Sequence, residues 1–254
     1  MDLGLKGKVA LVTGAGSQKG FGKAIALTLA KEGCDVIACD IDLEGAEKTS
    51  SEIKSLGRKS IALKMDVTDV NEVNRAVQSA LEKFKKIDIL MNNAGATSPI
   101  VPLAEKPQEQ IDMDININLK GVINCTKAVI PQMLSRKSGK IVNIASIGAR
   151  KGAPNTAIYS ASKAGVVGFT QALATELAPS GIIVNSVSPG LGLGTNFGGG
   201  NHPAYFVEKE KNNIPLKRIT EPQDIANVAV FLASDVSEDV VGQNIGVDGG
   251  LSLV

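Results

Sequence analysis

The residues in this chain best equipped for chemistry are a tyrosine and a lysine four positions apart, Tyr159 and Lys163. On a helix that step puts phenol and ammonium on one face. A phenol ordinarily ionises near pH ~10 and is a poor base at neutral pH. An ammonium beside it favours the phenolate and lowers that value. A tyrosine tuned in this way passes a proton to or from an alcohol or carbonyl oxygen. Ser146 follows the apolar run 141–145, which reads as a strand ending in a loop, and its hydroxyl can hold the same substrate oxygen. Alone, such a pair is an ordinary packing contact on a helix, so its meaning depends on the elements that position it.

Those elements alternate. Residues 8–13 form a short β-branched run, followed at once by Gly14, Gly16, Gly20 and Gly22 and then by a helical stretch over 23–32. A second apolar strand over 36–39 ends at Asp40. Strand, Gly-rich turn, helix, strand and acid is the layout of a dinucleotide-binding unit. Glycines let the backbone approach phosphate, and the helix N-terminus carries partial positive charge for it. Asp40 stands where a ribose-hydroxyl acceptor is expected and would repel a 2′-phosphate, and its neighbour Ile41 offers that phosphate no cation. The sequence therefore favours NAD over NADP.

The pattern repeats. Helices are expected over 44–56, 71–84, 108–134, 157–178 and 221–234, and strands over 60–65, 87–91, 140–145, 182–187 and 244–247. Alternation of this kind predicts an α/β fold. It is a single doubly wound parallel sheet of about seven strands with helices on both faces, spanning 1–254 as one Rossmann domain. Gly14–Gly22, Asp40, Asp66, Asn93, Ser146 and Pro189-Gly190 all fall just after strands, where open parallel sheets bind ligands.

Composition narrows the classes. Hydrophobic residues make up 43% of 254, and the formal net charge of +1 gives no electrostatic case for nucleic acid or an anionic membrane. No apolar run approaches the ~20 residues of a membrane helix. The N-terminus lacks a signal-peptide layout, and three cysteines, Cys34, Cys39 and Cys125, make no disulfide framework. A cytoplasmic location is expected. The lone histidine, His202, sits in a Gly-rich loop without a nucleophile elbow, and Cys and His at metal spacing are missing, so no metal is expected.

Together Thr13-Gly14, Gly20, Gly22, Asp66-Val67, Asn93-Ala94-Gly95, Asn118, Ser146, Tyr159-x-x-x-Lys163 and Pro189-Gly190 resemble the short-chain dehydrogenase/reductase family over essentially the whole chain. The resemblance implies Tyr159 as general acid/base, Lys163 on the nicotinamide ribose and lowering the Tyr159 pKa, and Ser146 on the substrate oxygen. Asn118 would support a water in a proton relay. It further implies cofactor contacts from Gly14, Ser17, Gly20, Phe21, Gly22, Asp40, Ile41, Asp66, Val67, Asn93, Ala94, Gly95, Tyr159, Lys163, Pro189, Gly190 and Thr195. A homotetramer built on the long helices starting near Gln108 and Ala157 is implied as well.

Two departures stand out. Five residues, 15–19, separate Gly14 from Gly20 where the family usually has three, and Thr195 lies five rather than four beyond Gly190. The stretch 191–213, with Gly198–Gly200, Tyr205 and Phe206, reads as a mobile lid over substrate. Without a basic cluster there, the pocket suits a small or cyclic secondary alcohol, a polyol or the matching ketone, and NAD points to the oxidising direction. One alternative is a 3-oxoacyl-[acyl-carrier-protein] reductase using NADPH, since reductive synthesis prefers NADP. Another is a non-catalytic NAD-binding sensor or structural subunit.

Overall fold

The computed structural model describes residues 2–192 and 204–254. Seven strands form one parallel sheet: β1 (Val9–Thr13), β2 (Asp35–Asp40), β3 (Ser60–Lys64), β4 (Ile89–Asn92), β5 (Gly139–Ile144), β6 (Ile182–Pro189) and β7 (Asn244–Val247). Their order is β3-β2-β1-β4-β5-β6-β7. The chain winds outward from β1 to β3, then crosses back to β4 and winds the other way. The crossing leaves a crevice between β1 and β4 at the strands' C-terminal ends.

Side-chain alternation sorts the core into two layers. Ala10 and Val12, Val36 and Ala38, Ile89 and Met91, Val142 and Ile144 pack with α1 (Phe21–Lys31), α2 (Leu43–Ser55) and α8 (Pro222–Leu232). Val9 and Leu11, Ile37 and Cys39, Leu90 and Ile141 pack with α3 (Val70–Phe84), α5 (Gly121–Arg136) and α6 (Ala157–Leu177). Covered on both faces, β1, β4 and β5 are buried throughout, which is why they read as unbroken apolar runs. Among the polar exceptions, Asn92 and Asn143 form a connected rung. Asn92 donates to the Asn143 side chain and to Thr126 Oγ1, both at 2.8 Å, and Asn143 donates to Thr170 Oγ1 at 2.9 Å. This rung locks β4 and β5 to α5 and α6 just below the site.

Most expected boundaries agree with the observed ones within two residues. The helix expected over 108–134 differs: α4 (Gln108–Ile115) passes through a π-helical turn, Asn116–Lys120, before α5 begins. The loop expected over 191–213 is in part helix α7 (Ala204–Asn213). Thr195, His202 and the glycines at 198–200 lie outside the described residues. Among those described, no helix is long and apolar enough to cross a membrane, and no group of three or more His, Cys, Asp or Glu side chains is placed to hold a metal.

Candidate active site

The crevice starts at the end of β1. Gly14 has φ +68°, and a Cβ there would stand 2.8 Å from both Ala94 Cα and Asn93 Nδ2. A Cβ on Gly22 would lie 2.1 Å from the Gly14 carbonyl oxygen. Glycine at both positions lets the first turn of α1 close against the end of β1. The N-cap, Gly20, makes no side-chain bond, and no acid occupies the first turn of α1, whereas α2, α3 and α8 carry Glu44, Glu72 and Asp224 there. The orphan N–H groups and positive end of α1 are thus left for an anion, which fits a pyrophosphate.

The lengthened lip of this turn is folded down onto β2 and α2. Gly16 N–H donates to Asp40 Oδ2 at 2.6 Å, and Thr49 Oγ1 donates to the Ala15 carbonyl at 2.8 Å. Gln18 donates to the Gly16 and Gly45 carbonyls at 2.7 and 3.0 Å, and Lys23 donates to Gln18 Oε1 at 2.8 Å. Gly20 N–H closes the turn on the Ser17 carbonyl at 3.1 Å. Asp40 is consequently already engaged at both oxygens, the second taking the Asp42 N–H at 2.9 Å. Asp42, rather than Asp40, caps α2. Ile41 beside them is exposed, and Lys19 stands exposed on the lip directly before Gly20.

Several expected cofactor residues are structural struts. Asn93 donates from its side chain to the Thr13 and Gly14 carbonyls at 2.9 and 3.1 Å, and Thr13 Oγ1 accepts from the Asn93 and Ala94 N–H groups, each at 2.9 Å. Thr13 is therefore the pin joining the ends of β1 and β4. Asp66 accepts from the Thr68 N–H and hydroxyl at 2.8 Å, and Asp69 caps α3. Val67 packs on Gly121 and accepts from Asn124 at 2.9 Å. Gly190 hydrogen-bonds Val247, and a Cβ there would meet Asp248 Cα at 2.7 Å.

The four residues expected to react do converge. Ser146 follows β5, accepts from the Gly148 N–H at 3.1 Å, and its hydroxyl bonds the Tyr159 phenol. Lys163, one turn along α6, is almost fully buried, lies 5.9 Å from the Tyr159 ring centroid and donates to the Ile144 carbonyl at 2.9 Å. Gly95 joins this group to Asn118: a Cβ on it would be 3.3 Å from Lys163 Nζ and 3.0 Å from Asn118 Oδ1. The π turn presents Asn118 inward, where its amide accepts from the Ala96 N–H at 3.2 Å and donates to the Ala96 and Asp114 carbonyls at 2.7 and 2.8 Å. Single π turns recur at functional sites because they break the regular i, i+4 presentation of side chains.

Electrostatics differ from the expectation that Lys163 lowers the phenol's pKa. Burial pushes the Tyr159 phenol up to about 12, the Ser146 hydroxyl opposing and the Asp114 charge adding to the rise. Burial likewise pulls Lys163 down to about 8. Enclosure disfavours both charged forms. Burial thus favours the neutral phenol and the neutral amine.

A family model described as enoyl-(acyl carrier protein) reductase matches residues 14–252. The 3-oxoacyl-[acyl-carrier-protein] reductase FabG of Thermotoga maritima is 42% identical over 249 residues, covering 98% of this chain and 99% of that protein. Its namesake from Staphylococcus epidermidis is also 42% identical, over 97% and 99%. Among solved structures, a 7α-hydroxysteroid dehydrogenase complexed with NADH and 7-oxoglycochenodeoxycholic acid superposes with a TM-score of 0.91 at 33% identity, covering 98% of this chain and 96% of that one. The reductases overturn the expectation of NAD as cofactor. By the rule that reductive synthesis prefers NADP, the balance falls to NADP(H). The physical reason the sequence misled is the lip: Asp40 looks like a free ribose acceptor but spends both oxygens on backbone N–H groups.

Proposed function

The chain belongs to the short-chain dehydrogenase/reductase family of oxidoreductases, and from that premise we propose that it reduces the ketone of a 3-oxoacyl thioester at the expense of NADPH. The observation that carries the reading is the pairing of the Tyr159 phenol with the Ser146 hydroxyl, in a chain 42% identical to 3-oxoacyl-[acyl-carrier-protein] reductases. A phenol held against a second hydroxyl can hand its proton to a carbonyl oxygen as the carbon is reduced. Two hydroxyls side by side suit one carbonyl oxygen, and this favours C=O over the C=C bond that the family model's description names.

When bound, the dinucleotide supplies the hydride. Gly14, Gly20 and Gly22, with the free N–H groups of α1, would hold its pyrophosphate, and the exposed Lys19 on the lip would offer a cation to a 2′-phosphate. Ser146 donates a hydrogen bond that orients the substrate oxygen. Tyr159 gives that oxygen its proton and becomes a phenolate. Lys163 faces the phenolate, and Asn118 lies across Gly95 as the next polar group along the path by which the proton is replaced. A homotetramer belongs to the same proposal. Exposed Ala157, Ala161, Ala164, Gly168 and Ala172 share one side of α6, leaving a face smooth enough for another helix.

Initial rates with acetoacetyl-CoA, followed by loss of reduced nicotinamide absorbance, test the reading. Turnover with NADPH exceeding that with NADH is expected. Tyr159→Phe should lower kcat by ~10²-fold or more, the usual worth of a positioned acid. Retention of most of the rate by this variant, or a parent chain inert toward the thioester, removes the proposal.

A further inference from the structure

Next to the site lies a buried carboxylate that the mechanism above does not use. Asp114, on α4 four residues before Asn118, is 1% exposed. One of its oxygens accepts the Ser98 N–H at 2.8 Å. The other accepts the Ser98 hydroxyl at 2.9 Å and lies 3.4 Å from Lys106 Nζ. Lys106 is itself enclosed and donates to the Pro99 carbonyl at 3.0 Å. Asn118 grips the same stretch through both backbone groups of Ala96, and reaches back to the Asp114 carbonyl. Residues 96–99 are thus fastened to one stretch of helix by two side chains a turn apart. They lead directly out of Gly95, against which Asn118 Oδ1 and Lys163 Nζ are packed.

A buried ion pair gives little net stability compared with apolar residues of the same size. A neutral side chain could fill this space, and what it would lose is the directional grip on Ser98. We propose that Asp114 is a positioning residue for carbonyl reduction: it holds segment 96–99 in register with Asn118, and so sets the wall of the crevice beside Lys163. For its kinetic consequence the inference rests on the ketone-reductase reading.

The test uses the full chain and two readouts. Asp114→Asn preserves size and removes the charge, while Ser98→Ala keeps the ion pair and removes the hydroxyl half of the grip. With acetoacetyl-CoA and NADPH, Asp114→Asn should lower kcat on the order of tenfold with the NADPH KM nearly unchanged, because misplacement of a site wall acts on turnover. Amide exchange of the peptide holding 96–99 should quicken on the order of tenfold, while strand β5 keeps its protection. Parental kcat, or unchanged exchange over 96–99, overturns the inference. A merely structural Asp114 would lower the unfolding midpoint and quicken exchange everywhere, with kcat per folded molecule intact. Should Asp114→Asn fail to fold, Ser98→Ala carries both readouts with a smaller loss expected. A parent chain inert on the thioester removes the proposed function, and the exchange result then still decides whether Asp114 holds 96–99.

Discussion

Lys163 is buried with no carboxylate partner among the described residues, its ammonium resting on the Ile144 carbonyl. Its pKa falls from the ordinary 10.5 to about 8, so folding disfavours its proton. Between those two values the unfolded chain holds a proton that the folded one lacks, and stability therefore rises with pH across that window. Tyr159 runs the opposite way: its pKa rises from 10.0 to about 12, so stability falls with pH between them. Buried Cys34, Cys39 and Cys125, all pushed up from 9.0, oppose the climb as well, so urea midpoints should rise from about pH 8, turn over near pH 9 and then decline. Lys163→Met should abolish the climb and be more stable than the parent at pH 7, while losing turnover. A variant that kept the climb would assign it to another group. At neutral pH this lysine opposes folding.

At the scale of elements, the lip over β2 shows how a longer loop is made rigid. Gln18 spans the Gly16 and Gly45 carbonyls and receives Lys23. Gln18→Ala should raise the NADPH KM roughly three- to tenfold, the worth of a hydrogen bond or so, with kcat little changed. Equal loss in both constants would mean that the lip also touches the reacting centre. The strands and most helices were legible because each strand is an apolar, β-branched run closed by Gly, Asn, Asp or Ser, and each helix an amphipathic stretch of sufficient length. The convergence of Asn118, Ser146, Tyr159 and Lys163 was legible through spacing. Other features were not. The π turn in N-I-N-L-K has no compositional mark, since any five residues of moderate helix propensity accept it. Asp114 sits in Asp-Met-Asp, which reads as a solvated helix face. α7 follows Gly-Gly-Gly-Asn-His-Pro, whose turn residues mask the helix behind them. Asp40 misled because residue type reveals an acceptor but not whether a loop has already occupied it.

Over the whole molecule, the end of the sheet away from the site is held by charge. Asp88 precedes β4 and gathers the Val9 N–H of β1 at 2.9 Å, Arg136 of α5 at 2.6 Å and Lys86 at 2.9 Å. Burial pushes its pKa up, but these donors prevail and hold it below the ordinary carboxylate range. A depressed carboxyl gives stability above the unfolded value of 3.8 that is lost as pH falls through the folded one. Asp88→Asn should lower stability at pH 7 by roughly 1–3 kcal/mol, the usual penalty for breaking such a cluster. The difference from the parent should shrink as the medium is made strongly acidic, which denaturation at a series of low pH values would show. Activity per folded molecule should be unaffected, because Asp88 sits at the opposite ends of the strands from Ser146.

The widened turn at Asn116–Lys120 has an evolutionary side. It is one amino acid more than a regular coil needs, so losing a codon there would mend the backbone ladder and lengthen α4 into α5 without interruption. The mended rod would be rotated by about 100° beyond the cut, since successive residues step by that angle. Either the amide of Asn118 or the packed side of α5 would then face the wrong way. Shortening residues 116–120 by one should yield a chain with more helical circular dichroism signal per residue but no measurable turnover. An active deletant would show that the surplus residue is an accident of descent.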